Sequence, residues 1–273
     1  MENREYPRFF TLILPAAIIF IAFFVVPMAR LAVVGATGEE GFAAYTSMAT
    51  TPRHFESMVA TVLLSVGVTI VALIVSTVAG LFLVRNRFWG RETLISMLTF
   101  PLAFPGVVIG FLVILLAGRQ GLVGTVSNAL TGDKLVFAYS MTGLFIGYLY
   151  FSIPRVILTI MAAAEKLDPS LEEAARSLGA SPWRVVRDVI LPALKPGLIA
   201  SGAICFATSM GAFGTAFTLA TNIDVLPMTI YTEFTLNANI AGAASLSIIL
   251  GLVTWIALFI ARSLSGSTVA ASA

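Results

Sequence analysis

Charge is scarce in this chain. Only 11% of its 273 residues are Asp, Glu, Lys or Arg, while 58% are hydrophobic; a soluble domain carries about a quarter charged. Such a chain belongs in lipid. Histidine and cysteine occur once each, as His54 and Cys205. That excludes an internal disulfide, a cysteine metal cluster, a His-based metal site and a catalytic triad built from this chain alone. Cys205 lies in an apolar run and reads as a small buried hydrophobe. The pattern G-x-x-x-x-G-K-[ST] is missing, so ATP has no phosphate-binding loop here, and H-E-x-x-H is missing too. No basic stripe with interleaved aromatics supports nucleic-acid binding. The 14 acidic residues avoid the middle of every apolar run. Proton-coupled carriers hold carboxylates or histidines there, which counts against a self-sufficient secondary carrier. A net charge of +2 says little about partners.

Long apolar runs are what the chain has instead. A membrane helix needs roughly 20 apolar residues, and six stretches qualify, at about 9–34, 58–84, 94–117, 136–160, 197–220 and 240–262. The first is too long for a signal-peptide core and lacks a small-residue cleavage site; it reads as an anchored helix bent near Pro15 or Pro27. Lys and Arg are enriched in cytoplasmic loops. Arg4, Arg8, Arg85, Arg87, Arg91, Lys166, Arg176, Arg184, Arg187, Lys195 and Arg262 fall on one side, against Arg30, Arg53, Arg119 and Lys134 on the other. Both termini and the segment 165–196 are therefore expected in the cytoplasm, and 35–57, 118–135 and 221–239 outside. Arg155 stands apart, near the inner end of the fourth span, whose apolar run continues to Ala164. The simplest reading is a helix that leaves the bilayer near Pro154, with Arg155 snorkelling to headgroups or pairing with another subunit.

Between the fourth and fifth runs lies a polar segment, DPSLEEAARSLGASPWRVVRDVILPALKP, from Asp168 to Pro196. Ser170 and Glu173 have capping-box spacing, and Asp168-Pro169 offers a start about half a turn earlier. Leu171, Ala174, Ala175 and Leu178 share one side at helical spacing, and Glu172 can pair with Arg176. Gly179 can adopt a left-handed backbone and end this helix. Ser181-Pro182 starts a second, carrying Trp183, Val185, Val186 and Val189 and expected to stop before Pro192. The result is a helix, a hinge and a helix. Its small alanines suit close approach by another protein better than burial in a membrane surface, which favours a broad apolar face.

In that segment Glu173-Ala174-Ala175 is followed by Gly179, by Val189 and by Leu191-Pro192. The spacing resembles the EAA loop of permease subunits of bacterial ABC importers, with Val189 in place of the usual Ile. The resemblance implies an all-α integral membrane protein with the type I importer permease fold, a single transmembrane permease domain over residues 1–273 in the bacterial inner membrane. It implies a non-catalytic subunit without its own cofactor, ATP and Mg being bound by partner ATPases. Two ATP-binding subunits, a second permease and an extracytoplasmic solute-binding protein would complete the assembly. Glu173, Ala174, Ala175 and Gly179 would dock the ATPase, with Ala180, Ser181, Pro182 and Trp183 completing the surface. The stretch RFFTLILPAAIIFIAFFVVPM is similar to the first permease of putrescine/spermidine importers, which implies a polyamine or related organic cation and a distinct second permease. ATSMGAFGTAFTLA with VLPMTIYTEF is also similar to importers of ferric iron, thiamine, opines or aminoethylphosphonate.

The apolar part holds weaker signals. Gly106/Gly110 and Gly143/Gly147 are G-x-x-x-G pairs that let helices pack closely. Pro101 and Pro105 with Gly106 break the third span or, more simply, kink it. Ser209, Met210, Phe213 and Thr215 in the fifth span are pathway-lining candidates, although hydroxyls in membrane helices often bond their own backbone. Asn222, Asp224, Glu233, Asn237 and Asn239 make 221–239 the most polar external segment, a candidate contact for the binding protein.

Overall fold

In the computed structural model, which describes residues 6–38, 41–219 and 223–265, the protein is all-helical. The helices are α1 (Tyr6–Phe20), α2 (Val26–Thr37), α3 (Ala43–Thr50), α4 (Pro52–Arg85), α5 (Arg91–Thr99), α6 (Gly106–Ala117), α7 (Leu122–Thr131), α8 (Met141–Ala164), α9 (Pro169–Ser177), α10 (Pro182–Val185), α11 (Leu191–Met210), α12 (Gly214–Leu219), α13 (Leu226–Thr235) and α14 (Ile240–Ser265). Six helical stretches among the described residues are long and apolar enough to cross a membrane. Glu2, Arg4, Glu5, Glu39, Glu40, Ala220 and Asn222 lie outside the described residues.

The chain divides into two compact units: residues 1–57 with 229–252, and residues 58–228 with 253–273. In the first, Pro15 stays inside α1. The irregularity is a π turn over Ile21–Val25 that leads directly into Pro27 at the start of α2, where a proline's missing N–H costs least. The Tyr45 hydroxyl donates to the Ala32 carbonyl at 2.8 Å, and Ser245 donates to Ala44 at 3.0 Å. Glu233, expected to face a partner, is turned inward and 8% exposed. Asn237 and Asn239 donate to its two carboxylate oxygens at 3.0 and 3.2 Å, and His54 Nε2 lies 3.6 Å away. Asn239 also caps α14 through the Gly242 amide at 2.8 Å. Burying a carboxylate demands such partners, so Glu233 and Asn239 hold this unit together, while Asn237 remains exposed.

The second unit is organised around α8. Half of its apolar window is buried, more than in any other candidate span. Leu144, Tyr148, Val156 and Ile160 pack with Val68 and Ala72 of α4, Val113 and Ala117 of α6, Cys205 of α11, and Ala216 and Leu219 of α12. The hydroxyl of Ser76 ties α4 to α8 through the Ile153 carbonyl at 3.2 Å. Pro154 sits inside α8, which runs unbroken to Ala164, as far as the apolar run does.

Three expected boundaries moved. The third span is broken, not kinked: α5 ends at Thr99, a 3₁₀ turn covers Phe100–Ala103, and Pro105, in an extended conformation, starts α6. Two prolines four residues apart leave no continuous amide ladder. The fifth span does not run to residue 220. It ends at Met210, with Gly211 as its cap, and α12 turns onto α6, where Thr215 donates to the Gly106 carbonyl at 3.0 Å. The second loop helix does not stop before Pro192. α10 passes through a π turn over Val186–Ile190 into α11, which carries Pro192 in its first turn and Pro196 in its interior. The wider π turn absorbs the proline's missing donor.

Candidate coupling loop and transport cavity

The segment after α8 has the helix, hinge and helix its sequence predicts. Of the two possible starts, Asp168-Pro169 prevails: the Asp168 carboxylate accepts from the Ser170 amide at 2.9 Å with Pro169 in the first turn. That hydrogen bond, with the Ser170 hydroxyl, holds the Asp168 carboxyl below the usual aspartate range. A lowered folded-state value means the cap is complete above the ordinary aspartate range and is lost as pH falls through the lowered one. Gly179 has φ +81°. Around it the Ala180 amide donates to the Ala175 carbonyl at 3.0 Å and the Gly179 amide to Arg176 at 2.9 Å, the two bonds of a Schellman motif. Ser181 caps α10 through the Arg184 amide at 3.4 Å.

Glu173, Ala174, Gly179, Ser181, Pro182 and Trp183 are exposed, whereas Ala175 and Ala180 are half-buried. The last two pack inward with Val185, Ile190 and Leu194. Two exposed apolar side chains extend the outward face: Trp183 at 69% and Leu178 at 89%. Leu178 lay outside the predicted docking set. Its place as the cap residue between α9 and the hinge glycine was the available signal.

A second feature has no local sequence signal. Glu172 pairs with Arg176 at 3.7 Å, as its spacing predicts, but also with Arg85 at the end of α4. The two partners lie 87 residues apart. Between α4 and α9 lies a recess of about 440 Å³ with Arg85, Glu172, Glu173 and Arg176 on its wall. The Arg85 side chain is 38% exposed, so the pair is worth about 1 kcal/mol or less. We expect Arg85→Ala to leave the spans intact and to raise amide exchange across α9 several-fold, about the factor that ~1 kcal/mol gives. Hydrogen exchange of the purified protein checks it.

Within the second unit, α8, α11, α12 and the broken stretch before α6 line an open cavity of about 250 Å³. Arg155, Thr208 and Thr215 are on its wall with Gly106 and Gly214, and among the described residues Arg155 is the only charged one there. Of the four pathway candidates, Thr215 borders this cavity, although it is itself 1% exposed. Ser209 and Met210 are 1% and 0% exposed, and Phe213 is half-buried against Phe217, ring centroids 5.2 Å apart. The Ser209 hydroxyl is buried without a hydrogen-bond partner among the described residues, like that of Ser152 on α8.

Residues 73–268 match the family model described as the binding-protein-dependent transport system inner membrane component. The chain belongs to this family. The permease is therefore a non-catalytic, multi-pass inner membrane subunit of an ABC importer. It is 36% identical to the molybdenum transport system permease protein ModB of Escherichia coli K12, over 75% of this chain and 92% of the relative. It is 30% identical to the sulfate transport system permease protein CysT of the same strain, over 82% of this chain and 79% of the relative. Its fold matches a chain of the bacterial alginate ABC transporter, solved with an alginate pentasaccharide-bound periplasmic protein. The TM-score is 0.82 at 18% identity, covering 97% of this chain and 95% of that one. A chain of the MetNI methionine ABC transporter in an inward-facing conformation matches at TM-score 0.60 and 16% identity, covering 79% of this chain and 95% of that one. The relatives named here carry molybdenum and sulfate in their names, not a polyamine. The polyamine resemblance rested on an apolar N-terminal stretch, which spans lipid whatever the solute, so it is not carried forward. The iron, thiamine, opine and phosphonate alternatives do not cover these relatives either.

Proposed function

We propose that the permease forms the translocation pathway for a tetrahedral oxyanion of the molybdate or sulfate class, driven by ATP hydrolysis in a partner. The observation that carries the substrate class is the 36% identity to a molybdenum permease across nearly the whole of that relative. The absence of acidic residues from the wall of the Arg155 cavity supports an anion over a cation. Both termini and the loop 165–196 face the cytoplasm. There the exposed Glu173, Ala174, Gly179, Ser181, Pro182 and Trp183 dock the ATPase, and Leu178 adds apolar contact. Ala175 and Ala180 support that surface from beneath. ATP and Mg bind to two partner ATPases, and a solute-binding protein delivers the anion from outside. The expectation that the second permease is a different chain rested on the polyamine resemblance and goes with it.

The test is uptake into proteoliposomes holding the complete complex and its binding protein. Radiolabelled molybdate, sulfate and putrescine are offered in turn. ATP-dependent uptake of molybdate or sulfate, with none of putrescine, is expected. Uptake of putrescine alone would overturn the substrate class, and uptake by the permease without its ATPase would overturn the coupling.

A further inference from the structure

We propose that Arg155 and the cavity it lines are a transit site for the oxyanion inside the membrane. The inference rests on the oxyanion reading above and adds the place and the group that receive the charge.

Position comes first. Arg155 lies nine residues before the end of α8 at Ala164, about 13 Å along the helix at 1.5 Å per residue. α8 is 24 residues long, about 36 Å at that rise, against a hydrocarbon layer about 30 Å thick, so Arg155 lies on the C-terminal half of a helix long enough to span it. A guanidinium held there is costly and is retained where it meets a pathway or a partner charge. No acid pairs with it among the described residues: the ion pairs of the second unit involve Arg85, Arg91, Arg176 and Arg187. Arg155 is exposed to the cavity, not packed in the core. Thr159 donates to its backbone carbonyl at 3.0 Å, which leaves the guanidinium out of that bond. The charge is therefore available.

The rest of the wall agrees. Two hydroxyls on it are already committed: Thr208 donates to Ile204 and Cys205 at 2.9 and 3.0 Å, and Thr215 donates to Gly106. Thr215 is buried, so of the two only the half-buried Thr208 brings oxygen, not hydrogen, toward the cavity. Selective attraction of an anion falls to Arg155, whose planar fork matches an oxyanion in two parallel hydrogen bonds. Gly106 opens α6 beside it, and the amides of a helix start favour negative charge. The volume of about 250 Å³, against roughly 30 Å³ per water, holds a tetrahedral anion with part of its hydration. A partly hydrated anion on one cation is held weakly enough to move on, which transit requires.

The experiment uses the complete complex with its binding protein in proteoliposomes, read by radiolabelled molybdate and sulfate uptake and by ATP hydrolysis stimulated by the loaded binding protein. Arg155→Gln is expected to lower uptake at least tenfold while stimulated hydrolysis stays within twofold, because the motor still turns but the anion is not received. Arg155→Lys keeps the charge and is expected to retain uptake within about fivefold; it also serves if Arg155→Gln fails to assemble. Uptake by Arg155→Gln within twofold of the unaltered complex would overturn the transit site alone. So would parallel loss of uptake and hydrolysis in an assembled Arg155→Gln complex, or complete loss in assembled Arg155→Lys. If the unaltered complex moves neither anion, the oxyanion reading itself fails, and this inference with it.

Discussion

Gly179→Pro and Glu173→Arg are each expected to leave the permease inserted and folded while abolishing stimulation of ATP hydrolysis by the loaded binding protein. The two act on different parts of one device. Gly179 holds φ at +81°, and a Cβ there would meet nothing within 4 Å. Space is thus not the constraint; the backbone is. Proline fixes φ near −65° and has no amide, so it removes the bond from Gly179 to the Arg176 carbonyl and re-aims everything after the hinge. Gly179→Ala isolates the milder term, roughly 1–2 kcal/mol for a left-handed alanine, and should give an intermediate phenotype. Glu173 lies on the exposed side of α9, and its carboxylate makes no ion pair among the described residues, unlike that of Glu172. Reversing its charge leaves α9 intact and places a cation where the proposed docking surface presents an anion. A loss of about 1.4 kcal/mol at that contact already gives tenfold. ATP hydrolysis by the reconstituted complex, with and without loaded binding protein, is the measurement. Full stimulation in both variants would remove the docking role from this loop.

The second large effect belongs to packing. Gly110→Val is expected to lower the thermal midpoint of the detergent-solubilised permease by several degrees or to prevent its folding. A Cβ on Gly110 would come within 2.5 Å of the Thr218 Cβ, and overpacking of this kind costs about 1–3 kcal/mol. Relief is constrained. Thr218 donates to the Gly214 carbonyl at 3.0 Å, and α12 is held elsewhere: a Cβ on Gly106 would lie 3.1 Å from the Thr215 amide, and one on Gly147 2.8 Å from the Thr215 Cγ2. Three glycines on α6 and α8 thus make room for one short helix. Thr218→Gly, not Thr218→Ala, should recover most of the loss caused by Gly110→Ala, because the closest clash is with the Thr218 Cβ, which alanine keeps. An unchanged midpoint in Gly110→Val would mean that α12 does not sit where described.

The G-x-x-x-G pairs were visible in the sequence as a capacity for close approach, but not what they approach. Nothing near Gly106 or Gly110 in the chain names Thr215 or Thr218, more than a hundred residues on. The same limit explains the fifth span. Its apolar run continues past Met210, and hydropathy alone has no reason to stop there; α12 turns back because α6 offers it a glycine-lined seat. Arg155 stood out as a charge in an apolar run. Its cavity depends on the break at Phe100–Ala103 and on Thr208 of α11, neither of which is local to it.

By itself the sequence determined that the chain has six stretches long and apolar enough to cross a membrane, that it carries no G-x-x-x-x-G-K-[ST] phosphate loop, and that residues 168–190 form a capped helix, a left-handed hinge and a second capped helix. Each follows from groups within about one helical turn of one another: apolar runs excluding charge, Asp168 and Ser181 meeting nearby amides, and glycine alone tolerating the turn at 179. Only the tertiary structure decided where the third and fifth spans break, that Arg85 braces the loop through Glu172, that Glu233 turns inward, and that Arg155 faces a cavity with no acid on its wall among the described residues. Those outcomes depend on contacts between helices far apart in the chain, where burial and steric fit override what neighbouring residues prefer.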